Sequence, residues 1–205
     1  MRIRPIVGIV DYDAGNFASV RSTLIKIGYR TRLIKTSKDF DGINLLFLPG
    51  VGAFSHAMSA LYKLDIVQGI KNWAYAGKPV IGICLGMQML AEASHEHSYT
   101  LGLGLIPGEV TKLNEPEWHI GWNNLEAHNE SQGFLNDSMG ESFYFNHSYE
   151  FQAPDEYILA LTRLERPIVA AVRRDNILGI QFHPEKSQEA GIRILTNSLK
   201  ELLGA

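Results

Sequence analysis

The only cysteine of the chain, Cys84, stands in the run Gly82-Ile83-Cys84-Leu85-Gly86. A lone cysteine is commonly a small buried hydrophobe. The flanking glycines open a second reading. G-x-C-x-G has the form of the tight strand-to-helix elbow that carries nucleophiles in G-x-S-x-G enzymes. Glycines two residues to either side let neighbouring backbone approach closely, and the thiol projects from the carboxyl edge of a sheet, where open α/β folds bind ligands. The start of a helix there favours the thiolate, and the Leu85 N–H is placed to face an oxyanion.

A nucleophilic thiol works with a base and a group that orients the base. Among seven histidines, His183 stands out, in Gly179-Ile180-Gln181-Phe182-His183-Pro184-Glu185-Lys186-Ser187. In extended backbone, residues two apart face the same way, so Glu185 can hold the His183 imidazole in its working tautomer. The bland alternative is a strand end followed by a solvated turn. A third element is Leu48-Pro49-Gly50-Val51-Gly52-Ala53-Phe54. It follows an apolar run and precedes a helix pattern, at the same sheet edge as Cys84. Its glycines let backbone N–H groups turn toward a ligand, although a plain tight loop reads the same way. A phosphate-binding loop is disfavoured, because G-x-x-x-x-G-K-[ST] is absent.

These pieces need a frame. Ile6–Val10, Thr31–Ile34, Leu45–Leu48 and Pro79–Ile83 are short apolar runs, as expected of strands buried on both faces. Between them, residues 15–28 and 57–76 carry helical spacing, the latter with a break near Asp65 or Gly69, and Leu85–Ala93 reads as a helix. Strand alternating with helix predicts a mostly parallel open sheet flanked by helices. The second half reads as β-rich, with strands near residues 108–113, 142–145, 157–164, 168–173 and 177–181, then a helix over 188–203. The expected fold class is α/β, mostly parallel, with a mixed β-rich second half and a single domain over residues 1–205.

The totals narrow the function. The chain has 205 residues, 45% hydrophobic and 20% charged, with a net charge of -3. That is an ordinary soluble composition without the basic excess of a nucleic-acid binder. One cysteine makes no internal disulfide, and the apolar run after MRIRP ends at Asp11, too early for a signal peptide. Residues 42–62 carry no formal charge but contain Pro49, Asn44, His56 and several glycines, a poor membrane span. NES (129–131), NDS (136–138) and NHS (146–148) then read as chance glycosylation matches. The expectation is a cytoplasmic protein that binds neither nucleic acid nor membrane.

LPGVGAF, GICLGMQML and GIQFHPEKS, in this order, are similar to the motifs of the triad-type (class I) glutamine amidotransferases. More narrowly, the chain resembles the glutaminase subunits of imidazole glycerol phosphate synthases. That narrower likeness rests on Asp11-Tyr12, Gly15-Asn16-Phe17 and Ser19-Val20, on His119-Ile120-Gly121-Trp122-Asn123, and on Tyr144-Phe145-Asn146-His147-Ser148-Tyr149. It extends from residue 6 to about 200.

The resemblance implies that Cys84 attacks the side-chain amide of L-glutamine, with His183 moving the proton and Glu185 orienting it. It implies an oxyanion hole from Val51, Gly52 and Leu85. Gly50, Gln88, Glu96, His147, Ser148 and Tyr149 would hold the substrate, and Asn16, Trp122 and Lys186 would face the partner, a (β/α)₈ cyclase. No cofactor and no metal are implied. On their own residues, Gln88 reads equally as helix surface, Glu96 as a solvated end, Trp122 as core, and His95-Glu96-His97 as a weak metal pattern. The sequence departs from the resemblance at Asp13 and Asn146, where glycine and valine are usual, at Phe17, where leucine is usual, and at Glu115-Pro116-Glu117-Trp118. These lie near expected partner or substrate surfaces. A glutaminase for another synthase, a cysteine hydrolase of γ-glutamyl amides, and a non-enzymatic binding module are the competing expectations.

Overall fold

The computed structural model describes residues 4–12, 16–128 and 133–204. Asp13, Gly15 and the NES tripeptide lie outside the described residues. The first half runs β1 (Ile6–Val10), α1 (Phe17–Lys26), β2 (Arg30–Ile34), β3 (Leu45–Leu48), α2 (Phe54–Lys63), α3 (Val67–Tyr75), β4 (Val80–Ile83) and α4 (Leu85–Met89). The second continues with β5 (Ala93–Ser94), β6 (Thr100–Leu101), β7 (Glu109–Lys112), β8 (His119–Asn124), β9 (Glu126–Ala127), β10 (Ser142–His147), β11 (Tyr149–Gln152), β12 (Ile158–Arg163), β13 (Pro167–Arg174), β14 (Ile177–Ile180) and α5 (Gln188–Leu203).

Eight strands form the main sheet in the order β2-β1-β3-β4-β14-β13-β12-β9. β2, β1, β3, β4 and β14 pair in parallel, and β13, β12 and β9 extend the sheet antiparallel. Apolar runs become central strands because helices cover both faces. Leu45 and Phe47 of β3, with Ile81 and Ile83 of β4, pack toward α1 and α5. Leu46, Leu48 and Val80 pack on the other face, toward α2, α3 and α4. The expected 57–76 helix is two helices, broken where Asp65 takes a φ of 54°.

The helix expected over 85–93 stops at Met89. The carbonyls that would continue it are taken by another segment: Leu103 N–H donates to Met89 O, Gly104 N–H to Ala91 O, and Leu105 N–H to Leu90 O. A chain that supplies such donors ends a helix without proline or glycine. The α4 backbone rests almost directly on the sheet. A Cβ at Gly86 would lie 1.7 Å from Leu48 O, and one at Gly82 would lie 2.6 Å from Gly86 O.

Beyond the main sheet, β8 and β10 form an antiparallel ribbon, while β11, β7, β5 and β6 form a small four-stranded sheet. Only Ser148 separates β10 from β11. The strand at His119–Asn124 was not expected from the sequence, because Gly121 interrupts its apolar pattern; Gly121 has a φ of 135°.

Gly86→Ala should destabilise the fold by about 3 kcal/mol, since the clash is with rigid backbone on both sides. Urea unfolding followed by circular dichroism measures it; a loss near zero would show that α4 can lift off the sheet.

Candidate active site

Parallel pairing brings three loops to one edge. The segments after β3, β4 and β14 are neighbours because those strands are. Ile180 lies opposite Ile83 in the register, and Cys84 N–H donates to Ile180 O at 2.7 Å. Cys84 takes φ 53° and ψ -111°, outside the ordinary regions for a residue with a Cβ. The glycines on either side admit the close packing that holds this conformation. The sulfur faces Asn146 O and Gln181 Nε2, each at 3.8 Å. With only five residues, α4 contributes little dipole, so the groups touching the sulfur dominate its environment.

His183 and Glu185 meet, by a route other than the extended backbone expected. Residues 184–186 form a 3₁₀ turn beginning at Pro184. Ser187 Oγ–H donates to His183 O, the Tyr144 N–H donates to Ser187 Oγ, and His183 N–H donates to Tyr144 O, which lash the turn to β10. His183 Nδ1 lies 2.8 Å from Glu185 Oε1, with both side chains buried. Nδ1 therefore carries its proton toward the carboxylate. Nε2, buried and without a hydrogen-bond partner among the described residues, is the nitrogen left for the thiol. Burial alone pulls the imidazole down, but the nearby Cys84 sulfur and the Glu185 carboxylate more than offset it and push it up to about 9.

The second histidine cluster behaves oppositely. His147 Nδ1–H donates to Tyr149 O at 2.8 Å, so its Nε2 is free to accept from His119 Nδ1–H at 3.1 Å. His119 Nε2 then accepts from Asn123 Nδ2–H. Burial holds His119 down to about 4 and, with no carboxylate to compensate, His147 down to about 3.

A cavity of about 260 Å³ opens above Cys84, lined by Val51, Gly52, Cys84, Leu85, Gln88, Glu96, Asn146, His147, Ser148 and Tyr149. Gly50 does not line it. It lies behind the wall, where a Cβ would meet Tyr12 Oη at 2.3 Å, so its smallness serves packing. The Tyr12 hydroxyl donates to Pro49 O at 2.7 Å and braces the same loop; burial, and then the Cys84 charge, raise its pKa. Glu96 Oε2 accepts from the Phe54 N–H at 2.6 Å, at the start of α2. Gln88 spends both amide hydrogens, on Tyr149 O and on Gln181 Oε1, which leaves Oε1 as the acceptor it can offer.

The residues expected to face a partner divide. Trp122 is half exposed beside Tyr144, and the Lys186 ammonium lies 5.7 Å from the Tyr144 ring centre. Trp118 and Ile120 are exposed as well. Trp122 is thus not core. Asn16 instead turns inward and donates from Nδ2 to Glu185 Oε1. Its φ of 97° starts α1 with the side chain spent on the carboxylate rather than on a cap. Gln181, Asn146, Tyr12 and His119 were not singled out for roles in the site. The period of two in GIQFH, which puts 181 on the face of 183, was a signal for the first.

Two titrations should be visible. His183 is raised above its unfolded value of 6.5, so its stabilisation is complete below pH 6.5 and lost as pH rises through about 9. His119 and His147 are depressed, so the unfolded chain binds more protons, and stability falls from pH 6.5 down through about 4 and 3. Urea midpoints across this range test both limbs, and Cys84→Ala should weaken the alkaline one. An alkaline limb untouched by Cys84→Ala would separate His183 from the sulfur.

A family model described as glutamine amidotransferase class-I matches residues 8–202. Among curated proteins, the imidazole glycerol phosphate synthase subunit HisH of Listeria monocytogenes serotype 4a (strain HCC23) is 41% identical over 194 residues, 93% of each chain. The protein of the same name from Lactococcus lactis subsp. lactis (strain IL1403) is 41% identical over 199 residues, 95% of this chain and 98% of that one. Among solved structures, PurLQS from Thermotoga maritima superposes with a TM-score of 0.78 at 19% identity, covering 98% of this chain and 100% of that one. A glutamine amidotransferase from the same organism gives 0.72 at 16% identity, covering 100% of each. With this likeness spanning nearly its whole length, the chain belongs to the class I glutamine amidotransferase family.

Proposed function

We propose that this chain is the glutaminase subunit of an imidazole glycerol phosphate synthase in histidine biosynthesis, one domain over residues 1–205. It hydrolyses L-glutamine to glutamate and ammonia and delivers the ammonia to a (β/α)₈ cyclase. The observation that carries the reading is the Cys84 sulfur set beside the buried His183–Glu185 pair, in a cavity that Val51, Gly52 and Leu85 also line.

The Cys84 sulfur adds to the side-chain amide carbon of glutamine, and its proton passes to His183 Nε2. The developing oxyanion is met by N–H groups of Val51, Gly52 and Leu85. Collapse expels ammonia, protonated by His183, and leaves a glutamyl thioester. Water then adds to the thioester with His183 as base, and glutamate leaves as the sulfur regains its electron pair. Gln88 Oε1 and the Glu96 carboxylate suit the substrate's ammonium and amide hydrogens, while His147, Ser148 and Tyr149 close the far wall.

Ammonia in water at neutral pH is mostly protonated and not nucleophilic, so it must travel dry to a docked partner. The half-exposed Trp122 and the Lys186 ammonium, both against Tyr144, form with exposed Ile120 an amphipathic face. Among the described residues, no helix is long and apolar enough to cross a membrane. A free thiol nucleophile suits the reducing cytoplasm.

Isolated, the chain should be a slow glutaminase, because the Gly50-Val51 peptide turns its N–H to the oxyanion only once the cyclase and its nucleotide bind. Adding both should raise ammonia release by roughly 10²–10³, the worth of one oxyanion donor. Steady-state assays decide it: equal rates would end the gating idea, and acceleration only by another synthase would redirect the partner. Cys84→Ala should abolish glutamine-dependent synthesis in the complex and spare synthesis from added ammonium. Loss of both would make Cys84 a folding residue.

A further inference from the structure

Against the sulfur, beside the Asn146 carbonyl, lies a side chain that the chemistry above leaves unused, Gln181. It follows β14, is fully buried (0% exposed), and is anchored by its N–H on Ala170 O at 2.9 Å. Its side-chain nitrogen is 3.8 Å from Cys84 Sγ. A side-chain amide can offer either end to a neighbour, and here the neighbours decide. The Tyr149 carbonyl only accepts, and it receives Gln88 Nε2 at 3.0 Å. Gln88 therefore shows its amino end, whose second hydrogen reaches Gln181 Oε1 at 3.1 Å. With its oxygen so occupied, Gln181 is left with its NH₂ on the sulfur. One backbone carbonyl sets the sense of two amides and, through them, the donor that the nucleophile meets.

We propose that Gln181 is a further catalytic residue, donating its side-chain amide to the Cys84 sulfur and stabilising the thiolate. It acts twice: before attack, while the thiol proton is on His183, and during hydrolysis, when the C–S bond breaks and the electron pair returns to sulfur. The Asn146 carbonyl, also 3.8 Å from the sulfur, only accepts and so favours the thiol; Gln181 opposes it by donating. At 3.8 Å the contact is long, so its contribution is a modest charge-assisted bond. The other ionisable groups around the sulfur are His183 and Tyr12, with His147 and Glu96 in the cavity wall. The catalytic meaning of Gln181 rests on the thioester reading above; the contact itself does not.

Because Cys84 is the chain's only cysteine, iodoacetamide reports on it alone. At pH 7, Gln181→Leu should be alkylated roughly 3- to 10-fold more slowly than wild type. The difference should narrow as pH rises. Equal rates at pH 7, or a faster variant, would overturn the proposal, provided circular dichroism shows the fold intact. If the leucine variant does not fold, the wild-type chain answers with ¹⁵N-labelled glutamine. The Gln181 side-chain amide protons should shift along the same pH curve as the alkylation rate and cease to do so in Cys84→Ala; an amide that ignores the sulfur's ionisation sinks the idea. Glutamine hydrolysis measured in parallel keeps the two claims apart. A chain that alkylates as described but leaves glutamine intact retires the glutaminase reading and keeps the contact.

Discussion

The approach of α4 to the sheet is the constraint on which the site depends. Gly86 lies so close to Leu48 O that no side chain fits between them, and a Cβ at Gly82 would clash, less severely, with the Gly86 carbonyl. Leu48 ends β3 and Gly82 lies within β4, so one contact fixes the loops leaving both strands. The first loop carries Val51 and Gly52, and the second carries Cys84. The Cys84 elbow and the Val51-Gly52 loop are thereby set against each other by backbone packing, before any side chain is chosen. The unfavourable backbone angles of Cys84 are sustained by the same packing and by hydrogen bonds from its N–H to Ile180 O and from Gln88 N–H to its own carbonyl.

Electrostatics then divides three buried histidines. His183, His119 and His147 are all buried, and burial by itself lowers each of them. Only His183 has a carboxylate and a sulfur beside it, and only His183 ends above its ordinary value. His119 and His147 have an amide, an imidazole and a carbonyl for company, so they stay neutral and act as a fixed hydrogen-bond chain. The carboxylate of Glu185 is itself held by Asn16 from the start of α1, so the His183 imidazole is oriented through two links.

How much of this was legible in the sequence follows from how local each signal is. β1, β3 and α5 stand within the expected bounds because apolar runs and helical spacing are properties of consecutive residues. The Cys84 elbow was legible for the same reason: its glycines lie two residues away. What escaped depends on distant segments. The early stop of α4 is caused by N–H groups at 103–105, which nothing in LGMQML announces. Asn16 looked outward by resemblance, yet turns to Glu185, a contact across 169 positions. Gln181 was in plain view in GIQFH, but its meaning needs Tyr149 O, which belongs to another sheet.

Ser148, the single residue between β10 and β11, has a mechanical consequence. His147 belongs to the two-stranded ribbon and Tyr149 to the four-stranded sheet, and all three residues border the cavity. The roof over the sulfur is thus a seam between two separately hydrogen-bonded plates. The width of the slot at Ser148 is therefore set by how the ribbon and the small sheet pack, and not by a backbone ladder running across it.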